Sequence, residues 1–152
     1  MAGSDTFALE IRTAVIERLR ANASFSRAPE IVPLPRFSGD PETELTIALD
    51  AAGRAGVIVT VSEPEFQFDA RQVGVGRFQV LIAEAPELNR GVGGTGRTAQ
   101  ELEDATLSAL LPWAHALLIG RIVQAGPVDR PEEGAGMIRR IPFAFGVHVA
   151  FA

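Results

Sequence analysis

The segment Ile141-Pro-Phe-Ala-Phe-Gly-Val-His-Val-Ala-Phe151 alternates between large apolar residues and residues that are small or polar. Successive side chains of a β-strand point to opposite faces of its sheet, so the odd-numbered residues share one face. Burial of one large apolar side chain contributes about 1.5–3 kcal/mol, which makes this face a major part of a core. The even face carries little bulk, and we expect an internal helix or a neighbouring subunit to cover it. The pattern predicts a strand over 137–151.

Four earlier segments also have the composition of strands. They are rich in β-branched and aromatic residues and are bounded by glycine or proline. One of them is apolar on both faces near its middle, which is typical of a central strand. Residues 66–68 are predicted to be the hairpin partner of 57–61, and a polar turn at 129–134 leads from the last of the four segments into the final strand. In chain order the four segments are 57–61, 66–68, 78–84 and 119–128.

Two segments have the apolar spacing of amphipathic helices. The first is capped by Ser4 or Asp5 and runs to about residue 23, with apolar residues four apart on one face. The second begins at Thr98, which forms a capping box with Glu101, and Pro112 ends or kinks it. The predicted buried faces are Phe7, Ile11, Val15 and Leu19 in the first helix and Leu102, Ala105, Thr106, Ala109, Leu110 and Trp113 in the second.

The segment between the first helix and the first strand is rich in proline. Prolines at 29, 33, 35 and 41 remove backbone donors and favour extended neighbours, so 24–41 is predicted to be an ordered arm or loop. Asp40-Pro41 is typical of a helix start, and Gly53 of its end. Because Leu45, Ile47 and Leu49 alternate, a strand remains an alternative there.

These elements predict an α+β fold in one domain spanning residues 1–152. We expect a mixed or mainly antiparallel β-sheet of four to five strands, with helices packed on one face. The sequence shows no repeat and no second domain.

Composition excludes several classes of function. The sequence has no cysteine, so it has no disulfide or thiolate metal site, and all 14 of its basic residues are arginine, so it has no lysine nucleophile. A net charge of −5 argues against tight non-specific nucleic-acid binding. No run approaches the roughly 20 apolar residues of a membrane span, and the first residues do not resemble a signal peptide. A soluble protein of the cytoplasm is the default expectation.

The stretch from Gly91 to Thr98 matches the phosphate-binding loop G-x-x-x-x-G-K-[ST] except that Arg97 replaces the lysine. A guanidinium is bulkier than the ammonium of that lysine, and residues 86–90 separate the strand from the loop. No later strand ends in the aspartate that would hold Mg²⁺. We therefore interpret 86–97 as a structural glycine-rich loop, with nucleotide binding as the alternative.

Other polar residues do not form a complete catalytic or metal-binding pattern. His115 and His148 are the only histidines, fewer than the three or four ligands of a usual transition-metal site. Glu63 with Glu65, and Glu132 with Glu133, are expected to be solvated turn carboxylates. No catalytic residue, metal or cofactor is expected, and the chain is predicted not to be an enzyme.

The whole order of elements resembles the tail terminator proteins of long-tailed bacteriophages, the family of lambda's protein U and the Mu-like minor tail proteins. The resemblance covers nearly the whole chain and is one of layout. It depends on the N-terminal helix and on four segments: Ala55-Gly-Val-Ile-Val-Thr-Val, Phe78-Gln-Val-Leu-Ile-Ala, Ala109-Leu-Leu-Pro-Trp113 and Phe143-Ala-Phe-Gly-Val-His-Val.

This resemblance implies a structural virion protein of the tail neck, assembled in the host cytoplasm. Its subunits, six in that family, would form a ring that caps the tail tube, stops its polymerisation and meets the head-side connector or stopper protein. Phage DNA would pass through the lumen without specific binding, and no membrane is involved. The candidate interface residues lie in the arm, in loops and on the last strand: Arg36, Phe37, Arg71, Arg90, Arg97, Arg139, Arg140 and His148. Arg139 and Arg140 are expected to pair with a neighbouring subunit's carboxylates.

Three alternatives to a phage tail terminator stay open at this point. The first is another neck or tail-tube component, such as a head-tail joining or completion protein. The second is a subunit of a phage-derived contractile particle, and the third is a small nucleotide-binding enzyme that uses the loop from Gly91 to Thr98.

Overall fold

A computed structural model describes most of the predicted elements. It covers residues 2–25, 31–33, 57–68, 73–85, 98–116, 118–130, 132–133 and 136–148. The helices are α1 (Ala2–Arg20) and α2 (Ala99–Leu110), with a 3₁₀ turn at Ala23–Phe25. The strands are β1 (Ile31–Pro33), β2 (Val57–Val61), β3 (Glu65–Phe68), β4 (Val73–Glu84), β5 (Ile119–Gln124), β6 (Glu132–Glu133) and β7 (Gly136–His148).

The strands form a single seven-stranded sheet around β4 and β7. These two long strands pair antiparallel along the whole of β4, and the main path of the sheet is β1-β2-β4-β7-β5. The short strand β6 pairs with β7, and β3 pairs with β4, so the predicted hairpin of 66–68 with 57–61 is wrong: both segments pair with β4. Only β1 and β2 are parallel among the described pairs, so the sheet is mixed and mainly antiparallel. The predicted α+β fold class is confirmed.

Both helices pack on the face of the sheet that the odd-numbered residues of β7 form. Ile141, Phe143, Phe145 and Val147 are all buried there, as their alternation predicts. Apolar residues of α1 and α2 belong to the same hydrophobic cluster. The cap and the end of α2 were predicted correctly, because α2 begins after Thr98 and its last residue precedes Leu111 and Pro112. The predicted ends of α1 were wrong: the helix begins at Ala2, so Ser4 and Asp5 lie inside it, and it ends at Arg20, before the 3₁₀ turn that contains residue 23.

The start of β4 differs from the sequence-based prediction. Gly74 and Gly76 lie inside this strand and do not bound it. A Cβ at Gly76 would collide with the Phe145 ring, and one at Gly74 with the Phe68 ring. The glycines therefore leave space for aromatic side chains of the two neighbouring strands, so that β4 starts at Val73 instead of residue 78.

The region after α2 also differs in detail. The strand predicted over 119–128 ends at Gln124, and its register against β7 shifts between Ile119 and Val123. Gly120 has a φ of 70° in this irregular stretch, a conformation that favours glycine. The polar turn contains β6 and an antiparallel bridge between Asp129 and Arg140. The helix or strand predicted from Asp40 to Gly53 lies outside the described residues.

The second face of the sheet is covered at one end and open at the other. At the covered end Leu81, Ala83 and Ile138 are buried in a small cluster of their own. At the other end β7 contributes the half-buried residues Pro142, Ala144 and Gly146. The flanking Val75 and Val123 are 42% and 56% exposed. We call this end the open face, defined by Val75, Val123, Pro142, Ala144 and Gly146.

Candidate functional site

The two elements on either side of the glycine-rich loop, β4 and α2, contact each other in the structure. Residues 86–97 are outside the described part of the chain, but β4 and α2, which flank them, are well defined. Thr98 is the N-cap of α2, with extended backbone, and its hydroxyl accepts a hydrogen bond from the Glu101 amide at 3.2 Å. This is the threonine half of the predicted capping box.

A second side chain caps the same helix end. The Glu84 carboxylate, at the last position of β4, accepts a hydrogen bond from the Ala99 amide at 2.9 Å. Glu84 is only 1% exposed, so this acceptor is a buried carboxylate. The first amides of a helix have no partner within the helix, and they carry the positive end of its dipole. Glu84 thus places a negatively charged group at the N-terminus of α2.

This arrangement bears on the phosphate-loop pattern. In a phosphate-binding loop the anion lies at the N-terminus of the helix that follows the glycines. Here the chain's own carboxylate already binds an amide at that position. Sequence reasoning missed this role of Glu84, although a glutamate that closes an apolar strand directly before the loop was a visible signal.

A buried carboxylate on α2 organises the other polar cluster. Glu103 is 3% exposed and accepts two hydrogen bonds from Arg130, at 3.1 Å from Nε and 3.0 Å from Nη2. The side-chain amide of Gln100 donates a hydrogen bond to Glu103 Oε2 at 3.2 Å, and Arg139 Nε lies 3.4 Å from Glu103 Oε1. Hydrogen bonding to Glu103, together with its negative charge, raises the pKa of Arg130. Glu103 was not among the residues predicted to be buried in this helix, because its arginine partners, Arg130 and Arg139, lie far away in the chain.

The two adjacent arginines of β7 both have carboxylate partners within the chain. Arg139 is 8% exposed and pairs with Glu103. Arg140 Nη1 lies 3.0 Å from Asp129 Oδ2, and the backbones of these two residues also exchange hydrogen bonds. The expectation from sequence was a partner on a neighbouring subunit, and the structure supplies internal partners instead. Their place at a subunit contact stays a prediction.

The structure describes only three of the eight candidate interface residues, Arg139, Arg140 and His148. His148 is the last residue of β7, opposite Val73 of β4, and its side chain lies outside the described part. The remaining five candidates also lie outside the described residues: Arg36, Phe37, Arg71, Arg90 and Arg97.

A shallow pocket of about 220 Å³ lies beside the open face. Glu63, Glu65 and Arg77 contribute to its lining. Its serine, Ser62, accepts a hydrogen bond from the Gln79 amide at 2.9 Å, so that hydroxyl is engaged with backbone. The pocket has a polar edge beside an apolar surface. The apolar part of its lining comes from Phe78, Ala125, Pro142 and Phe143.

Neither a metal centre nor a membrane span is found in the described residues. The part of the chain with defined structure contains no cluster of three or more histidine, cysteine, aspartate or glutamate side chains suited to a metal ion. His115 packs against Trp113, with ring centroids 5.1 Å apart. Neither α1 nor α2 is both long and apolar enough to cross a bilayer.

Comparisons with known proteins add no family to this description. A scan against protein-family models and a search of curated proteins both find no match to this chain.

Proposed function

We propose that this chain is a phage tail terminator, a structural virion protein whose subunits form a ring at the end of the tail tube. In this role the ring stops polymerisation of the tube and joins it to the head-side connector. The observation that carries the proposal is the order of elements. The described part follows the layout of the resemblance: α1, the strands β2 to β4, α2 ending at Leu-Leu-Pro-Trp, then β5 and β7.

The open face supports a role in assembly. Within the described part of the chain, α1 and α2 pack on the same face of the sheet, and the small residues of β7 allow another chain to approach the open face closely. A closed ring needs head-to-tail contacts between two different surfaces of each subunit. The open face is our candidate for one of them, and its occupant is a second copy of this chain. The arm and the loop at 86–97 are candidates for the other.

The contacts at the start of α2 favour a structural role over nucleotide binding. A phosphate at this helix end would compete with the Glu84 carboxylate for the Ala99 amide. It would also bring its negative charge close to a buried carboxylate, which is unfavourable. The chain's net charge of −5 fits a channel that lets DNA pass without holding it.

Two matched aspartate variants test the subunit contact. Val123 is 56% exposed on the open face and Leu9 is 43% exposed on α1, so both accept a charge without disturbing the core. Light scattering after size-exclusion chromatography measures the mass of each variant. Val123→Asp is expected to weaken the ring by about 2 kcal/mol or more, roughly a factor of 30, because an unpaired charge is buried in the contact. Leu9→Asp is expected to assemble like the wild type.

Equal assembly of both variants would remove the open face from the interface. A wild-type protein that stays monomeric and never attaches to tube ends would refute the terminator function itself. Rings found elsewhere in the particle would favour a different neck or tail-tube component. Titration of ATP with Mg²⁺ by calorimetry tests the enzyme alternative, and heat of specific binding would support it.

A further inference from the structure

We infer that Glu84 acts as a clasp, in which its buried carboxylate ties the start of α2 to the end of β4, the two described elements on either side of residues 86–97. The contact joins residues 15 positions apart in the chain. It does not depend on the terminator function, since it lies wholly within one subunit.

The backbone amide of Ala99 needs an acceptor from outside its own helix. Ala99 is the first residue of α2, and an amide at this position has no acceptor within its own helix. Burial of such a donor without a partner costs about 1–3 kcal/mol. Ala99 is 1% exposed, so water has little access to its amide, and the Glu84 oxygen at 2.9 Å is the acceptor that the structure gives it.

The buried Glu84 carboxylate in turn needs hydrogen bonds and a positive charge. A buried carboxylate is unfavourable unless hydrogen bonds and positive charge stabilise it. Glu84 is 1% exposed, and the helix N-terminus supplies both an N–H donor and the positive end of a dipole. Each group therefore meets a requirement of the other, and the contact is stronger than a neutral hydrogen bond.

The contact between Glu84 and Ala99 joins the two elements that flank the loop. Glu84 belongs to the central strand β4, which pairs with strands on both sides, so this end is rigidly held. Through the clasp, the start of α2 is held at the same place. Glu84 and Ala99, on either side of residues 86–97, are thus held within hydrogen-bond distance of each other. The Thr98 hydroxyl is a second cap at the same helix end.

Hydrogen exchange of the Ala99 amide is the direct test. An ordinary first-turn amide exchanges quickly, so strong protection of Ala99 in the wild-type protein is a specific sign of the clasp. Glu84→Gln is expected to reduce that protection about tenfold, because the neutral side-chain oxygen of glutamine accepts a weaker hydrogen bond than the carboxylate does. Glu101→Gln makes the same chemical change in the exposed first turn of the same helix, and is expected to change it by at most about threefold.

Trypsin gives a second readout within the loop. The enzyme cleaves after arginine, and the loop sequence contains Arg97, two positions before Ala99, and Arg90, nine positions before it. Glu84→Gln is expected to raise the cleavage rate at Arg97 about tenfold relative to that at Arg90, since the residues after Arg97 are released. In Glu101→Gln this ratio should stay close to the wild-type ratio.

Three results would overturn the inference. The first is fast exchange of Ala99 in the wild-type protein, and the second is an unchanged cleavage ratio in Glu84→Gln. The third is an equal loss of protection throughout α2 and β4, which would show that the carboxylate contributes only to global stability.

Discussion

Substitution of Gly76 by alanine tests how the aromatic cluster is packed over the central strand. Gly76 lies opposite Phe145 in the β4–β7 pair, and Phe145 is only 3% exposed. An alanine Cβ would overlap the Phe145 ring. Phe66 and Phe78 restrict the escape of this ring, with centroids 6.1 Å and 5.9 Å from it.

The magnitude follows from two opposing terms. Overpacking of a well-filled core costs about 1–3 kcal/mol. Alanine also restricts the unfolded chain, which stabilises the protein by about 0.4–1 kcal/mol. We expect Gly76→Ala to lower the free energy of unfolding by about 1–2 kcal/mol. For a chain of this length that corresponds to a fall in Tm of about 2–8 °C, measured by thermal denaturation followed by circular dichroism.

Two further variants make this test specific. At Gly126 a Cβ would have an ordinary contact with Pro142 Cγ at 3.6 Å, so Gly126→Ala should stay within about 0.5 kcal/mol of the wild type. In a Phe145→Leu background the smaller side chain leaves room, and the added cost of Gly76→Ala should fall. A Gly76→Ala protein as stable as Gly126→Ala, or an equal cost in both backgrounds, would refute the packing described for β4.

Substitutions at four other residues have outcomes that follow from the structure. Gly120 has a φ of 70°, so Gly120→Ala should cost about 1–2 kcal/mol in urea denaturation although no atom lies within 4 Å of the new Cβ; a neutral result would contradict that backbone conformation. Thr98→Ala removes the hydroxyl cap of α2 and should cost about 1 kcal/mol, whereas Thr98→Ser should retain most of it; equal losses would argue against the cap. Glu103→Gln leaves the buried Arg139 guanidinium without its charge partner and should cost about 3 kcal/mol by the same assay. Arg130→Gln should cost less, because the Arg130 side chain is 50% exposed, and the opposite order would contradict this cluster.

Local patterns in the sequence predicted much of the fold. The odd face of β7 and the cap and end of α2 depend on neighbours within a few residues, and these features were predicted correctly. The start of β4 was not, because Gly76 is explained by an aromatic ring from another strand.

The candidate site was less predictable for a similar reason. Burial of Glu84 and Glu103 depends on the Ala99 amide and on Arg130, which lie 15 and 27 positions away. The sequence does not show which distant group a carboxylate will contact, so the default interpretation of a carboxylate is a solvated side chain. The internal pairing of Arg139 and Arg140 was missed on the same grounds.

Negative-stain electron microscopy of tail tubes assembled with and without this protein tests the proposed function most directly. A terminator predicts a ring of subunits at one end of each tube, and tubes of uniform length only when the protein is present. Bare tube ends and an unchanged distribution of tube lengths, at protein concentrations well above that of the tube ends, would contradict it.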